Sequence, residues 1–151
     1  MEPIVNKKAL REYEVLHKYE AGIRLLGSEV KSIKGGRLNF EGSYVKFVGN
    51  ELFLINVDIP KYKYARSEDY DPIRTRKLLL KREEMTHLQS KIKMRPGLTL
   101  IPLKCYTVGS LIKLEIALSK GRKLHEIKSV EKEREIKRKD NEMTKEFLKK
   151  R

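Results

Sequence analysis

The stretch LTLIPLKCYTVGSLIKLEIALSK, residues 98–120, constrains the fold more than any other part of the chain. In its first half Leu98, Leu100 and Pro102 alternate with Thr99 and Ile101, as on the two faces of a strand, and Gly109-Ser110 then supplies a turn. Its second half places apolar residues at alternate positions, namely Ile112, Leu114, Ile116 and Leu118. Two strands joined by a tight turn form a β-hairpin, so this segment predicts an antiparallel sheet.

A second hairpin and a further strand are predicted upstream. In SYVKFVGNELFLINVDI, residues 43–59, alternating positions flank the turn-forming pair Gly49-Asn50. The segment YEVLHKYEAGIRL, residues 13–25, is rich in β-favouring residues, and Gly22 predicts a bulge or bend within it. Several short strands of this kind favour a small closed barrel, because closure removes exposed sheet edges.

Two helices are predicted within the same body. Ser28 is placed to cap a short helix in SEVKSIK, residues 28–34, and Gly35-Gly36 is placed to end it. Residues 74–93 have the spacing of an amphipathic helix. The apolar residues that this spacing brings to one side are Leu78, Met85, Leu88 and Ile92.

The composition of the chain changes after Gly121. Residues 121–151 contain no further Gly and no Pro, few apolar side chains and an excess of Lys and Arg, which predicts a tail that is disordered in the free state and helical against a partner. Residues 1–120 predict one domain that is mainly β, an OB-fold-like closed β-barrel with two to three flanking helices. Within it, residues 1–8 are predicted to be loose, and residues 60–73 to form a polar, tyrosine-rich loop.

The charge of the chain indicates its partners. The net charge is +14 with a pI of about 9.8, and residues 1–120 alone carry more Lys and Arg than Asp and Glu. Such an excess favours a polyanion, most often nucleic acid. A lipid surface is disfavoured, because no aromatic-bearing amphipathic helix and no long apolar run is present. The lone Cys105 and an N-terminus without an apolar signal core predict a cytoplasmic protein.

Catalytic and metal-binding residues are not predicted. His17, His87 and His125 lie in different segments without the spacing of a metal site. The acidic group Glu68, Asp69 and Asp71 has two interpretations, a Mg²⁺ site of a nuclease or ordinary loop capping, and its tyrosine and proline neighbours favour capping. No phosphate-binding glycine motif occurs. The sequence therefore predicts a binding protein without a cofactor.

One carboxylate, Glu29, stands in a basic neighbourhood with Lys31, Lys34 and Arg37. It has two interpretations that its spacing does not separate. It can be a structural ion-pair partner that orients Lys31 or Arg37, or it can accept hydrogen bonds from RNA base edges or a ribose hydroxyl, which a phosphate does not donate. Tyrosines near the basic residues, Tyr13 among them, add surfaces on which bases can stack.

Seven blocks of the chain resemble the SsrA-binding protein family, also called small protein B. The YEAGI…G-x-EVKS and DP-x-RTRKLLL blocks are the most specific of them. The blocks are NKKALREYEV (6–15), YEAGIRLLGSEVKSIKGGRLNF (19–40), SYVKFVGNELFL (43–54), DPIRTRKLLL (71–80), GLTLIPLKCY (97–106), LSKGRKLHEIK (118–128) and KEREIKR (132–138).

The resemblance implies a function. Proteins of this family bind the tRNA-like domain of transfer-messenger RNA, and their tail enters the empty mRNA channel and the small-subunit decoding centre of a stalled ribosome. The family's RNA-contacting acid falls on Glu29, and its Asn falls on Asn6. The predicted RNA-binding residues are Asn6, Lys7, Lys8, Tyr13, Glu29, Lys31, Lys34, Arg37, Asn39, Tyr44, Lys120, Arg122 and Lys123. The predicted ribosome-binding tail residues are Lys128, Lys132, Arg134, Lys137, Arg138 and Lys139.

The expectation is therefore a monomeric RNA-binding adaptor without a membrane partner. A general ribosomal or single-stranded RNA-binding protein with the same barrel is the alternative. The tail also departs from the family pattern: Glu126-Ile127-Lys128 stands where Asp-Lys-Arg is common, which removes one basic charge.

Overall fold

The computed structural model describes residues 1–66 and 69–149. Residues Met1–Gly121 form one compact unit, and a second unit begins at Arg122. The elements of the first unit are β1 (Ile4–Val5), α1 (Lys7–Glu12), β2 (Tyr13–Ile23), α2 (Gly27–Lys34), β3 (Tyr44–Val48), β4 (Glu51–Ile55), β5 (Arg76–Leu79), α3 (Arg82–Met94), β6 (Leu98–Val108) and β7 (Leu111–Gly121). The second unit contains α4 (Leu124–Lys149).

The strands of the first unit form one antiparallel sheet with the order β1-β6-β3-β4-β5-β2-β7. Strand β6 also pairs with β7, so each strand from β2 to β7 has at least two hydrogen-bonded neighbours. The prediction of a mainly β body with flanking helices is confirmed. Both predicted hairpins are also confirmed, with turns at Gly49-Asn50 and Gly109-Ser110. The glycines that open these turns have φ of 63° and 61°, a region that L side chains rarely adopt.

The predicted helix over residues 74–93 is wrong in its first part. Arg76–Leu79 forms β5, which pairs with β4 and β2, and α3 begins only at Arg82. The run of leucines in this segment is compatible with the period of a helix and with that of a strand. Pairing with two neighbouring strands stabilises the extended form. Leu78 is therefore buried as a strand residue, whereas Leu88 is buried on α3.

Two local predictions near the N-terminus are also corrected. Residues 1–8 are not loose, because β1 pairs with β6 and the Asn6 side chain accepts a hydrogen bond from the Ala9 N–H at the start of α1. Strand β2 shifts register between Val15 and His17 rather than at Gly22. These features depend on contacts with β6 and β7, which are distant in the sequence.

The core of the first unit lies between the sheet and two of its helices. Ile33 of α2 and Leu88 of α3 are fully buried with residues from the strands. The buried strand residues include Tyr19, Leu52, Leu54, Leu78, Leu100, Leu114 and Ile116. Each fully buried aliphatic side chain of this size contributes about 1.5–3 kcal/mol of hydrophobic free energy. A second, smaller cluster, formed by Ala9, Ile101, Leu103 and Ala117, packs α1 onto β6 and β7.

The single cysteine belongs to this core. Cys105 is on β6, it has no exposed surface, and its thiol is free. Burial raises the pKa of the Cys105 thiol from 9.0 to about 12. At neutral pH the group is therefore a protonated, apolar filler of the core.

Helix α4 makes up most of the second unit. It carries few apolar residues, and its described side chains from Glu131 to Arg138 are exposed. An isolated helix with so little apolar surface gains little from packing. The sequence predicts that this tail is disordered in the free protein, and that stays a prediction. No helix in the described part of the chain is long and apolar enough to cross a membrane.

Candidate nucleic-acid interface

Helix α2 is built around Glu29. The Glu29 carboxylate accepts a hydrogen bond from the Leu26 N–H at 2.8 Å, so the acid itself caps the N-terminus of the helix by pairing the N–H of the N-cap residue. Ser28, which the sequence predicts as the cap, is not the capping residue here. The helix ends at Lys34 with Gly35 as its C-cap, so the glycine pair ends it as predicted, and Gly36 follows with φ of 81°. Glu29 is 1% exposed and faces the interior of the first unit.

Two arginines and a tyrosine surround this carboxylate, and we call Glu29, Tyr70, Arg74 and Arg76 the Glu29 cluster. Arg76 Nε and Nη2 donate to Glu29 Oε2 at 2.8 and 2.6 Å. Arg74 donates through Nε to Oε2 at 3.2 Å and through Nη2 to Oε1. The Tyr70 hydroxyl lies 3.0 Å from Oε2. Both carboxylate oxygens are therefore occupied by donors from within the chain.

Arg76 is the most deeply placed cation of the cluster, with no exposed surface. Its Nη1 donates to the Val57 carbonyl at 2.6 Å, and its Nη2 donates to the Pro72 carbonyl at 2.9 Å. The guanidinium thus joins α2 to the segment before the tyrosine-rich loop and to the last part of that loop. A buried charge is tolerated only when it is paired and hydrogen-bonded in this way.

The cluster changes the pKa values of its members. Burial alone would raise the pKa of Glu29, but hydrogen bonds from Arg74, the Leu26 N–H and Arg76 outweigh it and lower that pKa below 4.5. Burial, followed by the neighbouring Glu29 charge, raises the pKa of Tyr70 above 10.0. At neutral pH the cluster therefore holds an ionised Glu29 and a neutral Tyr70.

This geometry decides between the two interpretations of Glu29. The acid is a structural ion-pair partner, but of Arg74 and Arg76 rather than of Lys31 or Arg37. Direct contact between Glu29 and RNA, which the resemblance predicts, does not fit this placement, because the side chain has no exposed surface and no free lone-pair direction. The sequence analysis did not predict that Arg74 and Arg76 are the partners of Glu29. The one available signal was the Arg-Thr-Arg tripeptide in the family-like DP-x-RTRKLLL block, together with Glu29 as the lone acid of its basic neighbourhood.

We expect Glu29→Gln to lower the free energy of unfolding by about 2–3 kcal/mol at pH 7, because it removes charge-assisted hydrogen bonds. The folded pKa of Glu29 is lowered, so the stabilisation is full above the unfolded pKa and is lost as the pH falls through the folded value. The difference between wild type and variant should therefore shrink in denaturation curves recorded below pH 4.5. Glu51→Gln, at an exposed acid paired with Lys77, is the control. A pH-independent difference would contradict an ionised Glu29.

The N-terminal depression is a second part of the interface, and it brings five predicted RNA-binding residues together. A depression of about 290 Å³ is lined by Asn6, Lys7, Lys8 and Asn39. An adjoining one of about 120 Å³ is lined by Asn6, Lys8 and Tyr13. Lys7, Lys8 and Asn39 are exposed, so they are available to an anionic partner.

Two residues of the N-terminal depression also have structural roles. Asn6 donates through Nδ2 to the Pro102 carbonyl at 2.9 Å and accepts from Ala9, which leaves one N–H and one lone pair of its amide for RNA. The Asn39 side chain accepts from the Glu41 N–H at 2.9 Å. Tyr13 packs partly against the small cluster beneath α1, so only part of its ring is open.

The remaining predicted residues are more scattered. Lys31, Lys34 and Arg37 are exposed on and just after α2, and Tyr44 on β3 is 40% exposed. Lys120 lines a different depression with Glu14 and Arg95. Arg122 and Lys123 belong to the second unit. In that unit the side chains of Lys128, Lys132, Arg134, Lys137 and Arg138 are exposed, and the side chain of Lys139 lies outside the described part.

The acidic and histidine side chains in the described part of the chain do not gather into a metal-binding group. Among the residues whose side chains the structure describes, no three His, Cys, Asp or Glu approach closely enough to share an ion. Glu68 of the acidic group lies outside the described residues, and the Asp71 side chain accepts from the Ile73 N–H as a loop cap. The Tyr19 hydroxyl lies 3.1 Å from His87 Nδ1, which gives that histidine a structural partner.

The fold and the site together define a class, a small basic β protein whose exposed cations flank open depressions. The chain belongs to the SmpB protein family, whose profile matches residues 3–146. It is 45% identical over 133 residues to the SsrA-binding protein of Gloeobacter violaceus, covering 88% of this chain and 87% of that protein. It is 43% identical over 141 residues to the SsrA-binding protein of Thermosipho africanus, covering 93% of this chain and 94% of that protein.

A solved structure supports the same assignment. It is described as "tmRNA-SmpB: a journey to the center of the bacterial ribosome". The chain resembles it with a TM-score of 0.66 and 41% identity, over 81% of this chain and 85% of that one. The family resemblance stated from the sequence blocks is therefore confirmed.

Proposed function

We propose that this protein binds the tRNA-like domain of transfer-messenger RNA and carries it to stalled ribosomes for trans-translation. The observation that carries the proposal is the family match over residues 3–146, together with relatives named SsrA-binding protein. The net charge of +14 and the exposed cations of the first unit suit such a polyanion. The protein acts as an adaptor in the cytoplasm and performs no chemical step of its own.

The sheet supplies the platform for this RNA. The pairings β6-β3-β4-β5-β2-β7 return to β6, which supports a closed barrel of the oligonucleotide-binding type. Barrels of this type present one face and its loops to nucleic acid. The N-terminal depression and the outer side of α2 are the surfaces that we assign to the RNA.

Glu29 contributes to RNA binding indirectly. Its carboxylate holds Arg74, and the Arg74 side chain is 31% exposed, so part of the guanidinium reaches the surface. Glu29 is thus a positioning residue for a cation that can meet a phosphate. This role accounts for an acid buried beneath a basic surface without requiring it to touch RNA.

The tail performs the second binding step. Its predicted contacts are the exposed cations of α4, which enter the vacant mRNA channel and the decoding centre of the small subunit. A segment with little apolar surface loses conformational entropy when it orders, so it orders only where a partner compensates for that loss. The tail thereby reports that the channel contains no message.

Competition binding tests the proposal against its alternative. Unlabelled tRNA-like RNA is expected to displace labelled tRNA-like RNA from the monomeric protein far better than an unstructured oligomer of equal length. The logarithm of the affinity should fall linearly with that of the salt concentration, by roughly 0.7–0.9 per phosphate contact. Equal displacement by the two competitors would indicate the alternative, a general ribosomal or single-stranded RNA-binding protein.

A further inference from the structure

The tyrosine-rich loop contains residues that the family-like blocks do not cover. Residues 61–66 read KYKYAR; cations alternate with aromatic rings over the first four positions, and the stretch contains no acid. We call Lys31, Tyr62, Lys63 and Tyr64 the tyrosine platform. None of its loop residues was among the RNA-binding residues predicted from the sequence.

The rings and ammonium groups of the tyrosine platform are in mutual contact. The centroids of the Tyr62 and Tyr64 rings are 5.6 Å apart, at an interplanar angle of 68°. Lys31 Nζ lies 5.4 Å from the centroid of Tyr62, and Lys63 Nζ lies 5.5 Å from that of Tyr64. Both separations are within cation–π range. Tyr64 is 72% exposed, so most of its ring surface is open to solvent.

The platform is held in place before any ligand arrives. The Ser32 hydroxyl of α2 donates to the Pro60 carbonyl at 2.7 Å, and the Ile59 N–H donates to the Pro72 carbonyl at 3.0 Å. The Ala65 N–H donates to the Tyr62 carbonyl at 2.9 Å, which closes a turn around Tyr64. A fixed aromatic surface binds a flat ligand with less loss of entropy than a mobile one.

We propose that the tyrosine platform stacks an unpaired base of the bound RNA, while Lys31 and Lys63 contact the adjoining phosphates. This inference rests on the proposed function and identifies one further contact of the RNA. Aromatic rings beside cations match the two parts of a nucleotide, a flat π-system and an anionic phosphate. A base within a duplex is covered by its neighbours, so the ligand is a splayed or looped-out nucleotide of a folded RNA.

Paired substitutions at Tyr64 test the proposal on the full-length protein with a transcribed tRNA-like RNA. Tyr64→Leu removes the ring, whereas Tyr64→Phe keeps it, and both changes are at an exposed position where folding is little affected. Loss of the ring should weaken binding about 5-fold to 100-fold, and Tyr64→Phe should bind as wild type does. Tyr62→Leu should weaken binding in the same range.

Salt dependence separates stacking from charge. The Leu variants should keep the wild-type salt slope, whereas Lys31→Gln should reduce it by roughly 0.7–0.9. Unchanged RNA affinity in both Leu variants would overturn the proposed base stacking but not the proposed function. This holds even if the variants associate less well with a protein partner or the ribosome. A wild-type chain that does not bind the tRNA-like RNA would overturn the proposed function and the platform with it.

Discussion

Arg76→Met is expected to lower the free energy of unfolding of the first unit by about 3–5 kcal/mol, because it leaves a buried carboxylate with too few partners. The variant also removes the donors for the Val57 and Pro72 carbonyls. For a domain of this size the loss corresponds to a fall in melting temperature of roughly 10 °C or more. Thermal and urea denaturation followed by circular dichroism measure it.

Lys77→Gln is the matched control for Arg76→Met, because the two residues are adjacent on β5. Lys77 pairs with Glu51 at 3.0 Å, but both side chains are partly exposed, so its loss should cost at most about 1 kcal/mol. Adding Glu29→Gln to Arg76→Met removes the uncompensated charge and should recover part of the lost stability. Equal stability of Arg76→Met and Lys77→Gln would show that the Glu29 cluster does not hold this unit together.

Truncation after Lys123 is expected to abolish ribosome rescue while leaving the affinity for tRNA-like RNA within a few-fold of wild type. The reason is that the surfaces we assign to that RNA lie in Met1–Gly121, a compact unit by itself. Gel-shift titration measures the RNA affinity, and peptide tagging on ribosomes stalled at the end of a message measures rescue.

A full-length control separates charge from length in the tail. Replacing Lys132, Arg134, Lys137 and Arg138 by Gln keeps every residue of α4 but removes four exposed cations. We expect this variant to lose rescue as the truncation does, because these cations are the contacts that we propose for the tail. A parallel fall of RNA affinity and rescue in the truncated protein would contradict separate roles for the two units.

The sequence predicts the parts of this fold that depend on neighbouring residues. Both hairpins follow from local alternation and a glycine turn, and each is found where the pattern places it. The end of α2 is equally local, because Gly36 adopts a positive φ that ends a helix and that other residues rarely take. The basic surface also follows from composition, although composition does not say which cations lie together.

The parts that were missed depend on distant residues. Arg76–Leu79 is a strand because it pairs with β4 on one side and β2 on the other. The spacing of apolar residues within the segment does not show this pairing. Glu29 meets partners more than forty residues away, at Arg74 and Arg76. Spacing around Glu29 suggested Lys31 or Arg37 instead, because a linear pattern shows only the charges nearby in the chain.

The buried position of Cys105 has a practical consequence for following the tail. A protonated thiol without solvent access does not react with maleimides while the first unit is folded. A fluorophore directed to a new cysteine in place of exposed Lys132 would therefore mark one site, with the native sulfur left unchanged. Energy transfer from such a dye to labelled ribosomes would then time the arrival of the tail in the decoding groove.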